Sequence, residues 1–528
     1  MLRYVSIEGR FRLMPSNKLI RFVIPALVVI IAAFWLFAKP GKSKGAPESA
    51  QEARAALVSH GARSRLDPPR THAPEALTGP STAPSGPDTI EVAAHSIPYT
   101  VKRGESVASI AWHYLPESVY LRRSDFEEAL RRANGLKGSV LKPGQSVVIP
   151  GIPDQPILDK PVTVPKDFDA RTIYLTGWTA GSARGLDLIQ KWKAVGGNAV
   201  VFDVKDFDGE IRAPFNHPYA PHTGITIRNL PKYIHWLHSL HMHVIARIAL
   251  FRDAYLASTY PQFDVRSRRT GKPWLENGKL AWVDPSLPEV QGYDLDLARM
   301  AAASGADEIQ FDYVRFPAEG DQADALFAFQ KDHPEWLRSK IITDFVARAY
   351  QELHPKGVLV SLDVFGVMAW ARKVDLEHTG QNIAELAHHC DVISPMIYPS
   401  HFFHFDGYAD PGDAPEHFIS ESMRRFQSVT QGSGVVLRPW LQGFHWRTKS
   451  YSVDYVLTEI RVAAEQGGIG FLFWNADNNY PKPMEAMVQM HNAGDKYFRG
   501  DITQKEPKAS AAPAAAHPVA ITVPTGSK

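Results

Sequence analysis

Three times in this sequence, an amphipathic stretch runs into a glycine or small-residue turn and then straight into a short apolar run that ends in polar residues. Val195-Gly196-Gly197-Asn198 leads into Ala199-Val200-Val201-Phe202-Asp203, Ser304-Gly305-Ala306-Asp307 into Glu308-Ile309-Gln310-Phe311-Asp312, and Gln466-Gly467-Gly468 into Ile469-Gly470-Phe471-Leu472-Phe473-Trp474-Asn475. A glycine at that point supplies the positive φ that a helix C-cap needs before the chain enters a strand. Eight apolar runs of this kind can be placed, at 172–175, 199–203, 244–248, 308–312, 359–363, 392–396, 436–441 and 470–474. They read as continuous hydrophobic runs, as parallel strands covered on both faces do. Eight βα units within about 300 residues predict an α/β fold, a TIM-type (β/α)8 barrel spanning 168–495. An open doubly wound sheet is the alternative.

A chain of 528 residues is too long for a barrel alone. Residues 22–38 form an almost unbroken apolar run between Arg21 and Lys39, near the lower limit for a helix that crosses a bilayer. Pro25 stands near its start, where a helix tolerates proline best. Arg3, Arg10, Arg12, Lys18 and Arg21 precede the run and Lys39, Lys42 and Lys44 follow it, so the basic bias places residues 1–21 in the cytoplasm. The reading is a single-pass signal-anchor in the cytoplasmic membrane, with the bulk of the chain facing the periplasm or the exterior. A cleaved signal peptide competes with it, although Leu36-Phe37-Ala38 lacks the small residue such a site wants two positions before its alanine. Residues 39–95 are an Ala/Pro-rich linker and 504–528 a tail of the same character, both read as disordered. The net charge of +2 argues against a nucleic-acid partner. The one cysteine, Cys390, precludes an intramolecular disulfide and reads as a buried structural thiol.

Residues 96–153 have the order βααβ. Tyr99-Thr100-Val101-Lys102-Arg103-Gly104-Glu105-Ser106 is an alternating strand with a glycine turn into a capped helix. A second helix from about Ser124 ends at Asn134-Gly135, and Leu141-Lys142-Pro143-Gly144-Gln145-Ser146-Val147-Val148-Ile149-Pro150 supplies a turn and a closing strand. These residues resemble the LysM domain, a module that binds N-acetylglucosamine-containing glycans such as peptidoglycan. The resemblance implies a glycan groove lined by Gly104, Glu105, Ser106 and the residues around 138–141. The stretch 113–125 between the two helices is longer than the family usually has, and a purely structural spacer is the bland alternative.

In TIM-type barrels the working residues sit at the C-terminal strand ends and on the loops that follow. Here those ends carry Trp178, Asp203, Lys205, Asp206, Arg247, Asp312, Arg315, Asp363, Tyr398, Gln442, His445, Trp474, Asn475 and Asp477. Carboxylates, cations and tryptophans at one mouth suit a sugar. Asp307-Glu308-Ile309-Gln310-Phe311-Asp312-Tyr313-Val314-Arg315-Phe316-Pro317, with Trp282-Val283-Asp284-Pro285-Ser286 and Ser394-Pro395-Met396-Ile397-Tyr398-Pro399-Ser400-His401, resembles a bacterial family of glycosyl hydrolase barrel domains once catalogued as of unknown function. The resemblance implies hydrolysis of an envelope or extracellular polysaccharide.

Glycoside hydrolysis needs two carboxyl groups across the scissile bond. Asp312 closes the fourth run and Asp363 the fifth, so Asp312 is the expected nucleophile or base and Asp363 the general acid, with Asp203 in reserve. Trp178, Asp203, Arg247, Arg315, Tyr398, His401, Gln442, Trp474 and Asn475 are the expected substrate contacts. His235, His238, His241 and His243 read as surface histidines rather than metal ligands. No phosphate loop, Gly-x-Ser-x-Gly or His-Glu-x-x-His motif occurs, so neither metal nor cofactor is expected. A non-catalytic glycan-binding or scaffold protein is the competing class, and an arginine ion pair filling the gap between the carboxylates would favour it.

Overall fold

The structure is a computed structural model that describes residues 89–492. The expected anchor at 22–38, its flanking segment 1–21, the linker up to residue 88 and the tail 504–528 lie outside the described residues. Among the described residues, no helix is long and apolar enough to cross a membrane.

The N-terminal module is βααβ. Strand β1 (Ala94–Thr100) pairs antiparallel with β2 (Ser146–Pro153), and helices α1 (Val107–Tyr114) and α2 (Arg123–Ala133) lie between them in sequence. Ser106 caps α1: its hydroxyl accepts from the Ser109 N–H while the Ser109 hydroxyl accepts from the Ser106 N–H, so two orphan donors are satisfied reciprocally. The Asn134 side chain bonds both Leu130 and Val148, tying the end of α2 to β2.

The main body is a closed parallel barrel. Its strands are β3 (Arg171–Leu175), β4 (Ala199–Lys205), β5 (His243–Ala249), β6 (Glu308–Asp312), β7 (Leu359–Phe365), β8 (Val392–Met396), the short pair β9 (Val436–Leu437) and β10 (Trp440–Gln442), and β11 (Phe471–Trp474). Neighbouring strands hydrogen-bond in that order, β9 and β10 share the seventh position, and β11 returns to β3. Closure excludes the open sheet. The seventh run divides because Pro439 has no N–H to give the ladder. Helices α3 (Ala183–Ala194), α4 (Leu230–Ser239), α5 (Pro288–Ala303), α6 (Arg338–Leu353), α7 (Pro415–Val429), α8 (Val453–Glu465) and α9 (Pro481–Asn492) complete the repeats. Gly196, Gly305 and Gly467 follow α3, α5 and α8 at positive φ, as the turn motif demanded.

The strands alternate in what they face. Ile309 and Phe311 of β6 join the large core beneath the helices, while Gln310 crosses the barrel interior to Ser394 on β8. A small separate core of Tyr174, Val201, Ile245, Tyr398, Trp440 and Leu472 fills the barrel itself.

At the N-terminal end of the barrel, Glu308 accepts from Arg438 (2.8 Å) and pairs with His243 (3.0 Å), all three fully buried. His238 bridges Asp307 and Asp159 at 3.1 Å each. This corrects the reading of these histidines as surface residues: His238 and His243 are buried, His235 is half-buried and pairs with Asp159, and only His241 is exposed. Burial opposes a charge on His238, but its two carboxylates outweigh that and push its pKa up to about 9. No cluster of metal-ligating side chains occurs among the described residues. Cys390 is buried, 3.3 Å from the Leu386 carbonyl.

The long stretch between α1 and α2 docks the two bodies. Lys232 of α4, 3% exposed, donates to the carbonyls of Leu115, Ser118 and Tyr120. Asn229 donates to Pro116 and Arg122 pairs with Asp187 of α3. The residues that exceed the usual module length therefore form its seat on the barrel. That seat lies beside the C-terminal rim, because it uses the N-terminal ends of α3 and α4.

Candidate active site

The C-terminal mouth of the barrel holds a cleft of about 880 Å³, counted out to bulk solvent. Two-residue periodicity carries the polar ends of β5, β6 and β7 inward together. Arg247, Asp312 and Asp363 form the floor; Tyr398, Trp440, Trp474, Phe365 and Phe402 form an aromatic wall, with Arg315, Tyr313 and His401 at its edge. Pyranose rings present an apolar face and a ring of hydroxyls, and this lining offers a partner to each.

Arg247 organises the carboxylates. Its guanidinium pairs with Asp203 and with Asp312, and lies 3.6 Å from both Asp206 and Asp363. The second oxygen of Asp312 accepts from the backbone N–H of Tyr313, whose φ of 50° is in the left-handed region. A non-glycine residue there costs free energy that its surroundings must offset, a feature that clusters at working sites. Asp363 is 1% exposed and accepts 2.6 Å from the indole N–H of Trp440. Burial, then the negative charge of Asp312, push the Asp363 carboxyl well above the usual carboxylate range, against the pull of Arg247 and Trp440. Asp203 is pushed up to about 7, by burial first and Asp206 as well, although Arg247 and the Tyr174 hydroxyl pull it down.

Several expected residues thus meet in the cleft: Asp312, Asp363, Arg247, Arg315, Tyr398, His401 and Trp474 all line it. Arg315 stacks on Phe365 (4.5 Å) and Trp282 (4.8 Å) and donates to the Phe316 carbonyl, so it is Arg247 that meets the Asp312 carboxylate. Burial, with the nearby Arg447, pushes His401 down to about 3, which leaves it neutral at working pH.

Four expected substrate contacts lie elsewhere. Asp203 is fully buried behind Arg247 and bonded to Tyr174. Gln442 donates to Phe444 and accepts from the Ser400 N–H, while Asn475 holds the carbonyls of Gly443 and Asn479; both side chains brace loops beneath the cleft. Trp178 stands on the rim, 59% exposed, outside the central cleft. Tyr174 and Trp440, which hold the two buried aspartates, were not anticipated, because an aromatic residue inside a strand reads as core.

In the small module, Gly104 has φ +88°, and the Glu105 carboxylate accepts from the Lys102 N–H (2.7 Å) and the Tyr99 hydroxyl. Ser106 bridges to Val140, whose side chain is 91% exposed. The two loops expected to form a glycan groove therefore meet, with Glu105 and Ser106 fixing the turn and the helix cap.

The family described as "Putative glycosyl hydrolase domain" matches residues 172–480, and the LysM domain matches residues 99–150. No curated protein matches the chain. Among solved structures, a hypothetical protein from Ruminiclostridium thermocellum is 34% identical over 36% of this chain and 97% of its own (TM-score 0.32). The glycoside hydrolase domain of PgaB (BpsB) from Bordetella bronchiseptica is 16% identical, covering 60% of this chain and 98% of its own (TM-score 0.45). The spore cortex-lytic enzyme SleL from Bacillus megaterium is 12% identical, covering 74% and 85% (TM-score 0.37).

Proposed function

The chain belongs to the glycosyl hydrolase domain family matched over residues 172–480, and from that premise we propose that it cleaves a polysaccharide of the cell envelope, with Asp363 as proton donor and Asp312 as nucleophile or base. The observation that carries this reading is the unequal setting of two carboxyl groups in one cleft. Asp363, buried and raised, keeps its proton to give to the leaving glycosidic oxygen, while Asp312 pairs with Arg247 at the cleft floor. Tyr398 and Trp474, with ring centroids 5.6 Å apart, give the sugar a stacking surface, and Arg315 gives it donors. The LysM domain targets the barrel to N-acetylglucosamine-containing glycan, and residues 22–38 hold the chain in the cytoplasmic membrane with its bulk facing outward.

One observation favours a second reading, a glycan-binding protein without turnover: Arg247 occupies the space between the carboxylates. Incubation with a panel of envelope polysaccharides, with products read by mass spectrometry, separates the two. The hydrolase reading requires product release by the unaltered chain and a loss of about 10²- to 10⁴-fold in Asp312→Asn and in Asp363→Asn. Retention on a polysaccharide with no product from any would establish the binder instead. Membrane fractionation of the native protein tests the anchor, which a soluble mature form would remove.

A further inference from the structure

Two of the described tryptophans are more than half exposed, Trp112 of α1 at 52% and Trp178 after β3 at 59%. They belong to different domains, yet they line the same groove, a seam of about 980 Å³ between the LysM domain and the barrel rim, with Leu115, Pro116, Ile225 and Ile227 between them. Counted without the open solvent, the space is about 350 Å³, at the lower end of the range of about 300 to 1,000 Å³ typical of ligand sites.

Each indole is backed by a guanidinium. Arg212 is buried, paired with Asp208 at 2.9 Å and with Glu210, and its charge centre stands 4.7 Å from the Trp178 ring. The Thr226 hydroxyl donates to the Gly177 carbonyl (2.6 Å), and a Cβ on Gly177 would come within 2.1 Å of the Arg212 side chain. The backbone beneath Trp178 is therefore fixed. Arg228 stands 4.1 Å from the Trp112 ring and donates to the Trp112 carbonyl. A ring covered on one face by a guanidinium and still half exposed shows its other face to solvent. A guanidinium packed against each ring favours the conformation seen here, which lowers the cost of ordering the ring around a ligand.

We propose that the seam is a second glycan-binding site, in which a strand of N-acetylglucosamine-containing polymer stacks a pyranose on the open face of each indole. The site is distinct from the groove between the Glu105 and Val140 turns and from the central cleft. Its position on the rim lets one strand pass from the LysM domain into the barrel mouth. Only that last continuation rests on the hydrolase reading; binding in the seam does not.

The test is co-sedimentation of the purified full-length chain in detergent with insoluble peptidoglycan sacculi and, separately, with chitin, so that the two sources of the same sugar are told apart. Trp112→Ala and Trp178→Ala are each expected to weaken binding to at least one polymer by about tenfold, and Trp112→Tyr to restore most of it. Matching circular dichroism melts guard against misfolding. Variants that sediment like the unaltered chain on both polymers overturn the site, as does an unaltered chain that binds neither. Tryptophan-dependent binding without product release sinks the hydrolase reading and leaves the site standing. Product release with tryptophan-independent binding does the reverse.

Discussion

Replacing Glu308 by glutamine removes one charge from the sealed floor of the barrel and leaves its partner in place. Burial pushes the Glu308 carboxyl up, but Arg438 and His243 pull it further down, from the usual 4.5 to about 2. At about 1.4 kcal/mol for each tenfold change, that corresponds to about 3 kcal/mol of stability near neutral pH. A second route agrees: breaking a buried pair by removing one partner costs about 3 to 5 kcal/mol, since Arg438 is left charged and fully buried. The sign follows from the lowered pKa. The contribution is present above about pH 4.5 and fades as pH falls toward 2. Urea titration followed by tryptophan fluorescence at pH 7 should place Glu308→Gln about 3 kcal/mol below the unaltered chain. The gap should narrow toward pH 3, and Glu308→Gln combined with Arg438→Met should recover part of it. A loss below about 1 kcal/mol at pH 7, or one that does not vary with pH, would refute the assignment of this cluster as a stabilising ion pair.

Other outcomes follow from the same contacts. With Asp363 as proton donor, turnover should fall as pH rises through its elevated pKa, and this alkaline limb should vanish from the residual activity of Asp363→Asn in a pH–rate profile. Lys232→Met keeps the aliphatic stem but takes the ammonium donor from the buried carbonyls of Ser118 and Tyr120, at about 1 to 3 kcal/mol each before relief of the lysine's own burial cost, while the Leu115 carbonyl keeps the Ser118 hydroxyl. Limited proteolysis should then cut between the LysM domain and the barrel faster while the barrel stays intact. Gly177→Ala drives a methyl group into Arg212 and the Asp203 carbonyl, and thermal unfolding should show a loss of about 1 to 3 kcal/mol.

Taken alone, the sequence determined the repeat. Glycine turns such as Gly196-Gly197 and Gly467-Gly468 and the apolar runs after them are local properties, set by φ preference and hydrophobicity, and the βααβ order of the small module was legible for the same reason. Even the inward alternation was present in Glu308-Ile309-Gln310-Phe311-Asp312, polar and apolar by turns, beneath what reads at first as a buried run. Partnership was decided only in three dimensions. Arg247 meets Asp203 and Asp312 from a third strand, Trp440 reaches Asp363 across 77 positions of sequence, and Arg438 reaches Glu308 across 130. No local pattern encodes which charge a closed barrel will place beside which. The surplus residues between α1 and α2, an irregularity in one domain's sequence, acquire their meaning from Lys232 of the other, because a buried ammonium needs acceptors and those carbonyls are what the fold brings to it.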